Sequence, residues 1–313
     1  MKAVLLHAGV VGLLFLLQFV LPDYHHANLA RIMVYAILAI GYNLLFGYTG
    51  LLSLGHAMFF AAGAYGAGIA VYWFGLGPAA AFLVGLLSGA AASAIAGIVL
   101  VRVTGVAFLI VTLMLAQAAY LSTLYFNTVT LGDQGIVLTR MAPLELPGLS
   151  LSLGNASVKY NIALIGFAIS LFIAMWLVRS PIGRVFVAIR ENEPRTRMLG
   201  YDTARYRYLA IVVSGSIAGL AGSLYCLLFA YVGASFAALQ FSTLPLLWTL
   251  LGGAGTILGP FVGTGLMFYL IDISSGYTSS YLIVVGVVLL AITLWFPRGL
   301  MGALSKRLGA WLP

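Results

Sequence analysis

The sequence predicts an all-α polytopic membrane protein of about ten (eight to ten) transmembrane helices, some of them broken by Gly-rich segments. Three observations carry this expectation. The 313 residues are 63% hydrophobic and only 7% charged, whereas an ordinary soluble domain has about 25% charged residues, and a soluble core has no use for so much apolar surface. Residues 32–101 contain no Asp, Glu, Lys or Arg. Residues 179–207, by contrast, hold seven of the fifteen basic residues and three of the seven acidic ones. Charges at bilayer depth cost about 2.5–3.5 kcal/mol each, so this segment belongs in water.

Apolar stretches long enough to span a bilayer, about 20 residues each, run over 3–21, 28–46, 51–74, 78–101, 105–127, 160–178, 208–231 and 279–296. Each is read as helix, because in lipid only helices and closed barrels satisfy the backbone, and these runs lack the alternation of barrel strands. The first stretch follows Lys2 and is succeeded by Pro22, Asp23, Tyr24, His25 and His26. With no small-residue cleavage site there, it reads as a retained span and not as a signal peptide.

The positive-inside rule places 179–207 in the cytoplasm. Counting back six spans puts Arg102 and Lys2 inside and residues 128–159 outside, with Arg31 on the outer side at a helix end, where it can snorkel. Residues 241–271 are too long for one span and are interrupted by Pro245, Gly252, Gly253, Gly255, Gly259, Pro260, Gly263 and Gly265. They are expected to form two short helices or a re-entrant pair. Two crossings there return Arg298, Lys306 and Arg307 to the cytoplasm and give ten spans; otherwise the count is eight.

The net charge of +8 comes from basic residues in loops beside apolar spans, a pattern that points to the lipid bilayer as partner and away from nucleic acid. The single cysteine, Cys226, lies in an apolar run and reads as a buried small hydrophobe. No G-x-x-x-x-G-K-[ST] cradle is present, so energy must come from a partner or a gradient. The four histidines (7, 25, 26 and 56) form no H-E-x-x-H pair, and no triad or metal cluster can be assembled. No catalytic, cofactor-binding or metal-ligating residues are assigned, and an enzyme is not expected. Asp272 reads as an interfacial cap.

Two glycine-interrupted hydrophobic stretches, 41–50 and 251–260, occupy similar places in the two halves. Paired interruptions of this kind mark midplane sites in transporters, because unwound backbone exposes groups that only substrate or cavity water can satisfy. The residues assigned to a translocation pathway are Asn43, Tyr48, Thr49, Ser53, His56, Gly253, Gly255 and Thr256. The bland alternatives are close helix packing for the glycines and a packing role for His56. In the charged loop, Pro194 suits a first helical turn, Asn192 or Glu193 its cap, and Gly200 its left-handed end. A helix of about two turns presenting Arg195, Arg197, Met198 and Leu199 reads as a docking element; the alternative is a solvated loop.

Four stretches, taken together, resemble the permease subunit of branched-chain amino acid ABC importers. They are 41–56 (GYNLLFGYTGLLSLGH), 180–200 (SPIGR through IRENE to Gly200), 218–222 (AGLAG) and 251–263 (LGGAGTILGPFVG). The resemblance implies a single transmembrane permease domain over 1–313 in the bacterial inner (plasma) membrane. It makes 179–207 the cytoplasmic ATPase-coupling loop, with Arg190, Glu191, Asn192, Glu193, Pro194, Arg195, Arg197 and Gly200 as coupling residues. Here Glu193 is followed by Pro194 and Arg195 where importers of this type often carry Glu-Ala-Ala. Implied partners are cytoplasmic ATPase subunits, a second homologous permease and a periplasmic substrate-binding protein, the last meeting the extracytoplasmic loop 128–159 with Asp133, Arg140 and Glu145. The chain needs no cofactor of its own, since ATP is used by the partner subunits. The implied cargo is a branched-chain amino acid or a similar small solute. The competing reading is a gradient-driven secondary transporter acting without an ATPase.

Overall fold

The chain is described from a computed structural model that covers residues 2–139, 142–146, 149–278, 280–296 and 298–308. Its helices are α1 (Lys2–Leu17), α2 (Asp23–Asn43), α3 (His56–Tyr72), α4 (Pro78–Leu100), α5 (Gly105–Tyr125), the single turn α6 (Asn127–Thr130), α7 (Ala156–Arg179), α8 (Pro181–Met198), α9 (Thr203–Phe229), α10 (Leu239–Gly252), α11 (Gly259–Tyr277), α12 (Tyr281–Trp295) and α13 (Gly299–Leu308). Among the described residues, five helical segments are long and apolar enough to cross a membrane: Tyr24–Tyr48, Pro78–Leu100, Gly105–Tyr125, Ala156–Arg179 and Thr203–Phe229. Shorter apolar helices flank them, and the chain is a multi-pass membrane protein.

Side-chain contacts sort the helix ends into two groups. Asn161 in the first turns of α7 donates to Gln18 Oε1 (2.9 Å), Tyr24 near the start of α2 donates to Asp272 Oδ2 (2.9 Å), and Trp73 after α3 donates to the Val129 carbonyl (2.9 Å). At the opposite end, Arg207 in the first turns of α9 donates to the Val103 carbonyl beyond α4, and a side chain at Gly299 would run into Gly253. This second end carries α8 and α13 and most of the Arg residues. It is called here the basic end, and the first the ribbon end.

α3, α4 and α9 form the centre, where small residues let backbones touch. A Cβ at Gly63 would overlap the Gly219 carbonyl, and one at Gly222 would overlap that of Phe60. Such contacts replace the hydrophobic drive that lipid cannot supply between helices. α2 packs across this core with Ala30, Met33, Val34, Ile37 and Leu38 fully enclosed.

Several expectations need amending. The chain is not purely helical: β1 (Ile136–Val137) pairs antiparallel with β4 (Tyr231–Val232), and β2 (Leu144–Leu146) with β3 (Leu149–Leu151). These short ladders satisfy backbone groups in the connections that leave the helices at the ribbon end. The described part of the 128–159 stretch therefore carries strands, and it gives way to α7 at Ala156, where the Asn155 side chain accepts from Ser157 N. The 51–74 span begins only at His56, and α2 starts at Asp23, which moves Arg31 from a helix end to two turns inside it. The 179–207 loop is mostly helix. Ser180 caps α8 by accepting from Gly183 N, Pro181 occupies the first position, and α9 already starts at Thr203.

Candidate functional site

After Asn43 the chain of α2 widens into a π-helical turn, Leu44–Tyr48, and then leaves helical geometry until His56. Non-helical backbone at bilayer depth must find partners within the protein, and side chains supply them here. Thr49 Oγ1 donates to the Leu44 carbonyl (3.0 Å), Tyr42 Oη to the Ser53 carbonyl (3.1 Å), and Leu54 N to Thr112 Oγ1 of α5 (3.1 Å). Ser53 Oγ takes the Gly55 N–H, and Ser242 Oγ of α10 takes the Ala57 N–H at the start of α3 (both 3.1 Å).

The second interrupted segment lies between α10 and α11, and it meets the first through one amide. Asn43 Nδ2 donates to the Thr256 carbonyl (2.8 Å), while Asn43 Oδ1 accepts the Gly255 N–H (2.9 Å). Asn43 thus fills the role of a missing backbone strand for a loop whose Gly253 and Gly255 have φ of 118° and 77°, angles that L side chains avoid. Thr256 Oγ1 closes the turn on the Gly253 carbonyl (2.7 Å). The two segments therefore meet, and they do so near the basic end and not at the expected midplane, since Gly253 abuts the start of α13.

His56 stands apart from this junction. It is fully buried, and its Nε2 lies 2.7 Å from Ser214 Oγ, which in turn donates to the Gly41 carbonyl (2.6 Å). Ser214 is eleven residues along α9, about 17 Å at helical rise, so this cluster sits near mid-depth. Tyr42 packs edge-on against the imidazole at 4.8 Å. The Tyr48 hydroxyl and His56 Nδ1 are buried without partners. Ser214, Ser242 and Thr112 carry no distinguishing sequence signal, being single hydroxyls inside apolar helices.

α8 bends at Asn192 (φ −165°, ψ 96°), and the second piece is the short helix expected from Pro194. Asn192 Oδ1 accepts from Arg195 N (2.9 Å) as its cap, and Gly200 closes it at φ 89°. The expectation omits the longer first piece, which carries Arg190 inward. Arg190 Nη1 donates to the Gly47 carbonyl at 2.6 Å, while Nη2 pairs with Glu191 at 2.9 Å. Glu193 Oε1 lies 3.3 Å from Nη1 of buried Arg207 and 3.4 Å from Nη2 of Arg197. A groove of about 530 Å³ opens beside them, lined by Thr104, Glu193, Pro194, Arg197 and Met198. Met198 and Leu199 are 81% and 71% exposed at a strongly charged end, where no neighbour among the described residues covers them. Of the residues at the ribbon end, Asp133 and Glu145 are exposed, and Arg140 lies outside the described residues.

Among the described residues, no group of three or more His, Cys, Asp or Glu is placed to hold a metal ion.

Comparison with known proteins gives a consistent match. The family described as the branched-chain amino acid transport system permease component matches residues 26–293. The high-affinity branched-chain amino acid transport system permease protein LivM of Salmonella typhimurium is 28% identical over 86% of this chain and 68% of its own length. The probable LivM of Methanocaldococcus jannaschii is 26% identical over 76% of this chain and 77% of its own. The autoinducer 2 import system permease protein LsrC of Photorhabdus laumondii is 30% identical over 49% of each chain. No solved structure matches the chain.

Proposed function

The chain belongs to the family of branched-chain amino acid transport system permease components and is LivM-like, and from that premise we propose that it is the membrane-spanning subunit of an ATP-binding cassette importer. Its cargo is a branched-chain amino acid or a similar small solute, carried across a bacterial inner membrane. The basic end faces the cytoplasm, and ten helices cross the bilayer: α1 to α5, α7, and α9 to α12. Separate ATPase subunits dock on the bent α8, a second permease completes the pathway, and a binding protein delivers solute to the ribbon end. A permease whose LsrC-like relatives serve autoinducer 2 import belongs to a group that takes more than one cargo, so the amino acid assignment rests on the LivM likeness.

The observation that carries this reading is the junction of Arg190 with Gly47. It ties a charged helix bearing exposed Met198 and Leu199 directly to the interrupted segments that line the proposed route. A motor pulling on α8 would thereby move the turn of α2 and, through Asn43, the loop before α11. The gradient-driven alternative has no feature of this kind to favour it.

The deciding experiment is reconstitution in proteoliposomes. The assembled importer, with ATPases, second permease and binding protein, is expected to take up labelled leucine only with ATP. Uptake by this chain alone under a proton gradient would overturn the proposal.

A further inference from the structure

We propose that Arg31, two turns inside α2 at the ribbon end, forms a binding site for the carboxylate of an apolar solute. This deepens the importer reading and rests on it for the solute's route. The position is about 12 Å along the helix from Asp23 at helical rise, in a segment whose flanking residues Ala30, Ile32, Met33 and Val34 are all buried. Among the described residues, no acidic side chain pairs with Arg31, and its Nε is buried without an acceptor. The guanidinium lies 4.9 Å over the Phe229 ring. Guanidinium groups keep their charge in proteins, and contact with one aromatic face offsets only part of the desolvation at this depth. A half-buried guanidinium held in this way, with its Nε enclosed, lacks a paired anion.

The surroundings define what that anion carries. Tyr35, one helical turn below on the same face, stacks on Tyr225 at 5.5 Å and packs against Trp248 at 5.3 Å. Tyr225 continues to Phe229 at 4.8 Å, and Phe241 closes the group. A planar fork above an aromatic floor suits a carboxylate with a compact apolar body. Arg31, Tyr35 and Tyr42 share one face of α2, and Tyr42 packs against His56 at 4.8 Å, so the site lies at the ribbon end of the face that reaches the mid-depth cluster. The aromatic contact of the guanidinium is to Phe229 of α9, and a lipid phosphate, the competing anion, is separated from a solute by the test below.

The test is ligand-observed NMR on the assembled permease–ATPase complex in nanodiscs, without binding protein, titrated with leucine, 4-methylpentanoate and leucinamide. Both carboxylates are expected to bind at least tenfold more tightly than leucinamide. Arg31→Gln should weaken the carboxylates at least tenfold and leave leucinamide unchanged, with Arg31→Lys between. A merely structural role would shift all three ligands together, and that result overturns the proposal. So does unchanged carboxylate affinity in Arg31→Lys, the variant that decides if Arg31→Gln fails to fold. Altered phospholipid co-purification with unaltered solute binding identifies a lipid anchor and also overturns it. Because 4-methylpentanoate reports the site without any transport, failure here is separable from failure of leucine uptake.

Discussion

Arg190 Nη1 and the carbonyl of Gly47, 143 residues apart, form a 2.6 Å hydrogen bond that joins α8 to the π-helical turn of α2. The carbonyl belongs to a turn where helical pairing is ending, and a charged donor is the strongest partner it can find. The same guanidinium stands over Gly255, whose hypothetical Cβ would lie 3.1 Å from Nη1. One side chain therefore bonds one interrupted segment and lies beside the other, and the Asn43 amide bonds the two to each other.

Replacing Arg190 with Met keeps the apolar stem and removes the donor. Uptake by the reconstituted importer is expected to fall at least tenfold while bound ATPase subunits go on hydrolysing ATP. The loss of stability should be about 1–3 kcal/mol, the range for an orphaned polar partner. Paired measurements of uptake and hydrolysis check this, and transport at the wild-type rate would show that the bond transmits nothing.

Asn43→Leu leaves the Gly255 N–H without an acceptor and the Thr256 carbonyl without its donor, at about 1–3 kcal/mol each. Gly255→Ala should cost about 1–2 kcal/mol, because alanine at φ 77° pays the left-handed steric penalty. Denaturation midpoints in detergent are expected to rank wild type, then Gly255→Ala, then Asn43→Leu. Equal midpoints for Asn43→Leu and wild type would mean the loop is held by other contacts.

What was legible in the sequence follows from what hydrophobicity records. α4, α5 and α7 lie within a few residues of their expected ranges, because each is a long apolar run ended by Pro, Gly or charge. α3 is different: Leu51, Leu52 and Leu54 are as apolar as the helix that follows, so composition cannot separate extended from helical chain. The hydroxyls that hold this stretch, Thr112 and Ser242, come from distant helices. Pro194 and Gly200 correctly mark the second piece of α8. The equivalent Ser180–Pro181 signal is masked by the surrounding charges, which suggest a loop. Asn43, Gly255 and Thr256 are drawn together by the paired glycine interruptions, yet the role of Arg190 depends on a partner no local pattern announces.

The acidic residue beside the groove separates two kinds of ion pair. Arg207 has a side chain 3% exposed and shares Glu193 Oε1, whereas Arg197 is 69% exposed. Glu193→Gln should therefore destabilise by about 3 kcal/mol, the low end for a buried pair because Glu193 is itself partly exposed, since it leaves a buried cation without its counter-charge. Arg197→Gln should change stability by less than about 0.5 kcal/mol. Thermal midpoints of the two variants decide the matter, and an equal effect would show that Arg207 is satisfied by the Val103 carbonyl alone.

The assignment of the basic end to the cytoplasm is open to a direct labelling test. Cys226 is fully buried and is the only cysteine in the chain, so the native protein provides a silent background for single introduced thiols. Leu199 is exposed beyond α8, and Gln134 is exposed between α6 and β1. In intact cells a membrane-impermeant maleimide is expected to modify Gln134→Cys and to spare Leu199→Cys. In inside-out vesicles the pattern should reverse. The two residues lie at opposite ends of the same bundle, so labelling of Leu199→Cys from outside would invert every helix. A cytoplasmic motor would then have no access to α8, and the link from Arg190 to Gly47 would be a structural clamp with no drive behind it.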